Sequence, residues 1–219
     1  MRNVTETVKQ LIIINILFFI GTLLVSGPAY QYLALFFPEN PAFKAWQPIT
    51  YMFMHGGFMH IFFNMFALYS FGSALELFWG SKKFLFFYIS CGLGSALVHT
   101  GVNYYHFQEG LNTLLSNGFS KAEILQLLNE GKIDTRWQEL LTVSQFQNFT
   151  SAYIGTAVGA SGAIYGIIVA FAFMFPNAEL ALMFVPIPIK AKYFVPGLVL
   201  VDLYLGISGK SIFGGGGIA

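Results

Sequence analysis

The sequence predicts an all-α polytopic membrane protein. Hydrophobic residues make up 56% of the 219 and charged residues only 10%, more apolar surface than a soluble domain of this length can use. Several windows of about 20 largely apolar residues, enough to cross a bilayer, are separated by polar or Pro/Gly-bearing breaks. The net charge is +1 and no basic tract appears, so nothing points to a nucleic-acid partner. The single cysteine, Cys91, lies in an apolar run, which excludes an intrachain disulfide.

Five spans follow from the apolar windows. Arg2 and Lys9 precede Leu11 to Val25, which can run on to Tyr30; we read it as a retained first span rather than a cleaved signal. Residues 28–50 carry Pro38, Pro41, Pro48, Trp46 and further aromatics and read as a loop at the membrane interface. The second span runs from about Tyr51 to Trp79, broken near its start by Gly56-Gly57, and the third from Phe84 to Val102. Spans 1–3 and the interfacial loop make one unit, residues 1–103.

Residues 104–150 change character and hold half of the acidic side chains. Leu111, Leu114 and Leu115, then Ile124, Leu125, Leu127 and Leu128, then Trp137, Leu140 and Leu141 recur at helical spacing. Ser120-Lys121-Ala122-Glu123 has the form of a capping box, and Gly131 can end the helix it starts. These read as short amphipathic helices in an extramembrane insertion. Residues 151–219 return to the membrane, with a fourth span over Ile154 to Phe175, a Pro-rich connection over Glu179 to Lys192, a fifth span over Tyr193 to Ile207, and a Gly-rich stretch from Ser208 to Gly217. With five alternating spans, Arg2, Lys9, Lys82, Lys83, Lys190 and Lys192 share one side, so the positive-inside rule places the N-terminus in the cytoplasm.

Two polar groups within the spans could carry chemistry. Ser161 begins the helical part of the fourth span inside Gly155-Thr156-Ala157-Val158-Gly159-Ala160-Ser161-Gly162. Small neighbours let a substrate backbone approach a nucleophile, and they equally let two membrane helices pack tightly. His60 and Asn64 are i and i+4 and share a helix face, with His55 one turn earlier. Polar residues in a span are costly and face the protein interior, where they serve either as interhelical hydrogen-bond partners or as donors to a developing oxyanion. A serine nucleophile needs a base, and none of the four histidines, His55, His60, His99 and His106, stands out as its partner. There is no His-Glu-x-x-His, no carboxylate pair in the spans and no phosphate-binding Gly loop, so no metal or cofactor is expected.

Three stretches together resemble the rhomboid intramembrane serine proteases, in the bacterial form. These are His55-Gly56-Gly57-Phe58-Met59-His60-Ile61-Phe62-Phe63-Asn64 running on to Glu76, Gly159-Ala160-Ser161-Gly162 with Tyr165 one turn later, and Trp46-Gln47-Pro48-Ile49-Thr50. The resemblance implies a rhomboid-like helical bundle with a sixth span. Ser161 would be the nucleophile of a Ser–His dyad. His60, Asn64 and the Ser161 N–H would form the oxyanion hole, with His55 and Tyr165 supporting and Glu76 structural. Trp46-Gln47 departs from the family's frequent Trp-Arg. The family's base comes from the sixth span after a Gly-rich approach that Gly214 to Gly217 resembles, so the 219-residue form is expected to be a truncated one that is inactive. The resemblance further implies transmembrane protein substrates cut near the outer boundary, the lipid bilayer as partner, and a bacterial inner membrane. The alternative is a rhomboid-like protein that binds transmembrane clients without cutting them, against which Ser161, His60 and Asn64 together speak.

Overall fold

The computed structural model describes residues 4–182 and 185–207. Helix α1 (Glu6–Leu24) is followed at once by α2 (Ser26–Leu33), so the first span breaks at Val25 instead of running on to Tyr30. Pro28 falls in the first turn of α2, where a missing N–H costs nothing. After the interfacial loop come a short α3 (Gln47–Thr50) and a tight turn over Tyr51–Phe53. The second span is helical only from Phe58: α4 (Phe58–Ala67), a wide turn over Leu68–Gly72 and α5 (Ser73–Trp79) run on without a break.

Helix α6 (Ser81–Ser116) has 36 residues. At 1.5 Å per residue it is about 54 Å long, against a hydrocarbon core of about 30 Å. The third span therefore does not stop at Val102. No proline interrupts the chain before Ser116, so the helix continues out of the membrane and carries Leu111 and Leu114 into the insertion. There α7 (Lys121–Asn129), α8 (Trp137–Leu140) and α9 (Val143–Ile154) fold against it. Ser120 Oγ accepts from the Glu123 N–H at 3.2 Å, and a full reciprocal box, which the sequence reading missed, joins Thr142 and Gln145 at the start of α9. Phe107, Leu114, Ile124, Trp137 and Phe149 are fully buried and give this cap its own core. Phe37 of the interfacial loop belongs to that core, its ring 5.1 Å from Phe107.

Helix α10 (Ser161–Met174) starts seven residues later than the expected Ile154, because residues 155–160 lie outside any helix. The Pro-rich connection forms a hairpin, β1 (Glu179–Leu182) and β2 (Val185–Lys190), with Glu179 opposite Lys190 and Ala181 opposite Pro188. Pro186 and Pro188 are two apart, so their missing N–H groups fall on one edge and leave the other to pair. Helix α11 (Ala191–Ile207) ends the described chain; the Gly-rich approach at 214–217 lies outside the described residues.

Three of these helices are long and apolar enough to cross a membrane: Glu6–Leu24, Phe58–Trp79 and Ser81–Ser116; α10 and Ala191–Val201 are shorter apolar helices. Val8, Leu68, Leu75, Phe84, Tyr88 and Ile167 make their common core. Helices α6 and α10 run antiparallel in close contact. A methyl group on Gly162 would collide with Ser95, and one on Gly166 with Cys91, so two small residues one turn apart let the backbones approach.

Glu76 ties the bundle together at the end that carries the N-terminus. Buried in the middle of α5, its carboxylate accepts the Thr7 and Val8 N–H groups, each at 3.0 Å, and the Ser81 hydroxyl at 2.6 Å. Those two N–H groups are first-turn donors of α1 that have no partner within the helix. An anion there also meets the positive end of the helix dipole. The interfacial loop has a comparable hub in Gln47, which is fully buried. Its Oε1 accepts from the Phe36 and Lys44 N–H groups, and its Nε2 donates to the Gln31 and Ala42 carbonyls.

Candidate active site

The site forms where three segments converge at the end of the bundle opposite Glu76. The first is the non-helical stretch 155–160 that leads into α10. Ala157 exchanges both backbone hydrogen bonds with Leu35, each 3.0 Å, and the Gly159 N–H donates to the Tyr51 carbonyl at 2.9 Å. Extended backbone at membrane depth is tolerated only when its polar groups are met by protein, and Leu35 and Tyr51 meet them here. Tyr51 is itself fixed, its hydroxyl donating to the Gly92 carbonyl of α6 at 2.8 Å.

Gly159 has φ of +134°, a conformation an L side chain rarely adopts. The turn it makes delivers Ser161 as the first residue of α10. A Cβ built on Gly159 would lie 2.9 Å from both Cε1 and Nε2 of His60 and 3.5 Å from Ser161 Oγ. The His60 ring and the Ser161 hydroxyl therefore flank the same small space, which only a residue without a side chain keeps open.

His60 and Asn64 come from the first turns of α4. Their i, i+4 spacing puts both on one face, as the sequence indicated. Asn64 is buried and its amide nitrogen has no hydrogen-bond partner among the described residues. Leaving a buried donor unpaired costs about 1–3 kcal/mol, and such a group in a folded protein calls for an explanation. His55 lies behind His60, 1% exposed, with ring centroids 5.0 Å apart and edge to face; among the described residues neither of its ring nitrogens reaches a partner in good geometry. Tyr165 sits one turn along α10 from Ser161, half-buried. The other two histidines lie on α6: His99 hydrogen-bonds Asn103 at 3.0 Å, and His106 packs its ring on Tyr105. Among the described residues no hydrogen bond joins Ser161 to any histidine.

Sequence reasoning brought forward Ser161, His60, Asn64, His55 and Tyr165 but missed what aims them. Tyr51 and Leu35 hold the approach to Ser161, and no polar signature marked either. Gly159 stood among several glycines, with nothing in the sequence to say which one takes positive φ. The two readings left open for the small residues separate by position: Gly162 and Gly166 serve packing, and Gly159 keeps the space before Ser161.

The fold and this cluster define a class, an integral membrane protein of polytopic helical type with serine, histidine and asparagine side chains gathered at one end of the bundle. Comparison with known proteins narrows the class. Residues 42–124 match the Rhomboid domain, a stretch that holds His55, His60, Asn64 and Glu76 and stops short of Ser161. The chain is similar to the mitochondrial Rhomboid protein 1 of Saccharomyces cerevisiae, 24% identical over 136 residues, which is 62% of this chain and 27% of that protein. It is also similar to the Rhomboid protease GluP of Bacillus subtilis, 36% identical over 52 residues, 24% of this chain and 10% of that protein. These matches make residues 42–124 a stretch similar to the Rhomboid domain. The matched stretches span about a quarter and a tenth of those two relatives.

Proposed function

We propose that this protein is an intramembrane serine endopeptidase that cleaves transmembrane proteins near the outer boundary of the bilayer. The observation that carries the reading is the space at Gly159, bordered at once by Ser161 Oγ and the His60 ring. In this reading Ser161 Oγ attacks a substrate carbonyl, and a base removes the hydroxyl proton. The tetrahedral oxyanion is met by the His60 ring, the unpaired Asn64 amide and the Ser161 N–H. The leaving amine takes the proton from the base, and water then hydrolyses the acyl-enzyme by the same path. His55 supports the His60 ring from behind, and Tyr165 supports the site from one turn along α10. The base is a histidine that the reading assigns to a sixth span. The reading sets the N-terminus and Glu76 at the cytoplasmic face of a bacterial inner membrane, with the cap outside. The match of residues 42–124 to the Rhomboid domain and the name of the Bacillus relative support the reaction class.

The test is labelling in detergent with a fluorophosphonate serine probe. The protein carrying its sixth span, its Ser161→Ala variant and the 219-residue form are compared. Labelling of the first, abolished in the other two, supports the dyad and the place of its base. Absence of labelling in the first, beside a reactive rhomboid control, would leave client binding as the better reading.

A further inference from the structure

The contact between α6 and α10 changes along its length. Near the outer end Gly162 meets Ser95 and Gly166 meets Cys91, and the backbones touch. One and two turns further in, Phe86 and Phe87 of α6 and Ala170, Phe173 and Met174 of α10 line the space between the helices. A groove of about 430 Å3 lies between them there. Its walls are apolar, with Phe86 and Phe173 among the most exposed apolar side chains of the molecule, at 75% and 82%. On the membrane-facing surface of a bundle, such a groove is filled by hydrocarbon.

The rim is of the opposite character. Trp79 and Lys83 close the groove at the end that carries the N-terminus. The Trp79 indole packs edge to face on Phe87 at 5.1 Å, and its N–H donates to no group among the described residues. Lys82 and Lys83 are exposed and make no ion pair among the described residues. The carboxylate next in the chain, Glu76, is consumed by Thr7, Val8 and Ser81. Lys192 adds charge at the same end, its N–H bound to the Pro176 carbonyl just past α10. Apolar walls at hydrocarbon depth, an amphipathic indole at the boundary and unpaired ammonium groups above it follow the chemical order of a phospholipid, chain, ester region and phosphate. The volume falls in the range of small-molecule sites, about 300–1,000 Å3.

We propose that the groove between the start of α6 and the end of α10 binds an anionic phospholipid, with an acyl chain against Phe87, Ala170 and Met174 and the headgroup phosphate at Lys83 and Lys82. The charge selects the lipid and the groove seats it. The site lies at the opposite end of the bundle from Ser161 and stands whether or not the protein is a protease.

The experiment uses the chain in nanodiscs with Trp46→Phe and Trp137→Phe, which leaves Trp79 as the sole indole. Quenching of Trp79 is measured with brominated phosphatidylglycerol and with brominated phosphatidylcholine at equal, low mole fraction. The expected result is stronger association of phosphatidylglycerol, about fivefold for each lysine engaged. Lys82→Gln with Lys83→Gln should bring the ratio to about one while quenching by phosphatidylcholine persists. Ala170→Phe, which fills the groove, should weaken quenching by both lipids. Equal quenching by the two lipids before any lysine is changed would overturn the proposal, as would selectivity that survives loss of both lysines. The lysines are exposed and unpaired, so those variants fold and keep the test decisive if Ala170→Phe does not.

Discussion

Gly159→Ala tests the site at the point where its geometry is tightest. The added methyl would stand 2.9 Å from His60 Cε1 and Nε2, where an ordinary contact needs about 3.5 Å, so the ring must retreat by about 0.6 Å or the turn must open. The backbone adds its own cost, because φ of +134° suits glycine and charges another residue about 1–3 kcal/mol. For a chain of this size that corresponds to a fall in melting temperature of roughly 2–10 °C. If His60 helps receive the oxyanion, a displacement approaching 1 Å lowers reactivity by on the order of tenfold to a hundredfold. The assay pairs thermal unfolding in detergent with the rate of fluorophosphonate labelling at Ser161. Gly21→Ala is the control, since a methyl there meets nothing within 4 Å and should leave both readouts unchanged or slightly improved. Wild-type labelling and stability in Gly159→Ala would refute the reasoning, for it would mean that neither the turn nor the His60 ring is constrained as described.

Three further substitutions address the supports of the site. Glu76→Gln keeps the shape but weakens a charged acceptor of three hydrogen bonds, so it should cost about 2 kcal/mol and speed hydrogen exchange at the Thr7 and Val8 amides. Gln47→Ala leaves the Phe36 and Lys44 donors and the Gln31 and Ala42 acceptors unmet and should make the loop over residues 36–44 the first site of limited proteolysis. Gln47→Arg should do the same, because it removes the acceptor that Phe36 and Lys44 share. Phe149→Ala empties the middle of the cap and should cost about 3–5 kcal/mol; in a Trp46→Phe, Trp79→Phe background, the emission of the buried Trp137 should shift to the red.

What the sequence made legible was local. His60 and Asn64 share a face because helical spacing says so, and Ser161 starts a helix because an apolar run starts there. Ser120 caps α7 because its side chain and Glu123 are three apart. What stayed hidden depends on partners distant in the chain. Glu76 finds its donors 68 and 69 residues away, and Gly159 finds Tyr51 across the bundle. Hydropathy marked the end of the third span at Val102, where the environment changes, although the helix persists to Ser116. The proline pattern over residues 179–192 read as irregular chain, since the alternation that leaves one strand edge free to pair is visible only once a partner strand is known. Phe37 read as one more interfacial aromatic, and nothing local showed that it belongs to the core of the cap.

That last residue bears on how the site is held. Phe37 sits in the cap core, and Leu35, two residues earlier, sits in the membrane core while pairing with Ala157 on the approach to Ser161. On the other strand of that pair, Ile154 ends α9 of the cap, and three residues later Ala157 faces Leu35. The short Leu35–Ala157 bridge is thus anchored in the cap on both strands, within two or three residues. Tyr153 strengthens this anchor, its carbonyl accepting from Asn40 at 3.0 Å and its hydroxyl donating to Asn129 at 2.8 Å. Softening the cap should therefore reach Ser161, whereas softening the opposite end should not. The two substitutions above separate these cases. Phe149→Ala should lower the labelling rate of Ser161 even at temperatures where the membrane helices remain folded. Glu76→Gln should lower the melting temperature while leaving that rate unchanged in the folded protein. If both variants lose labelling only as they unfold, the cap is a passive insertion and the approach to Ser161 is set by the membrane core alone.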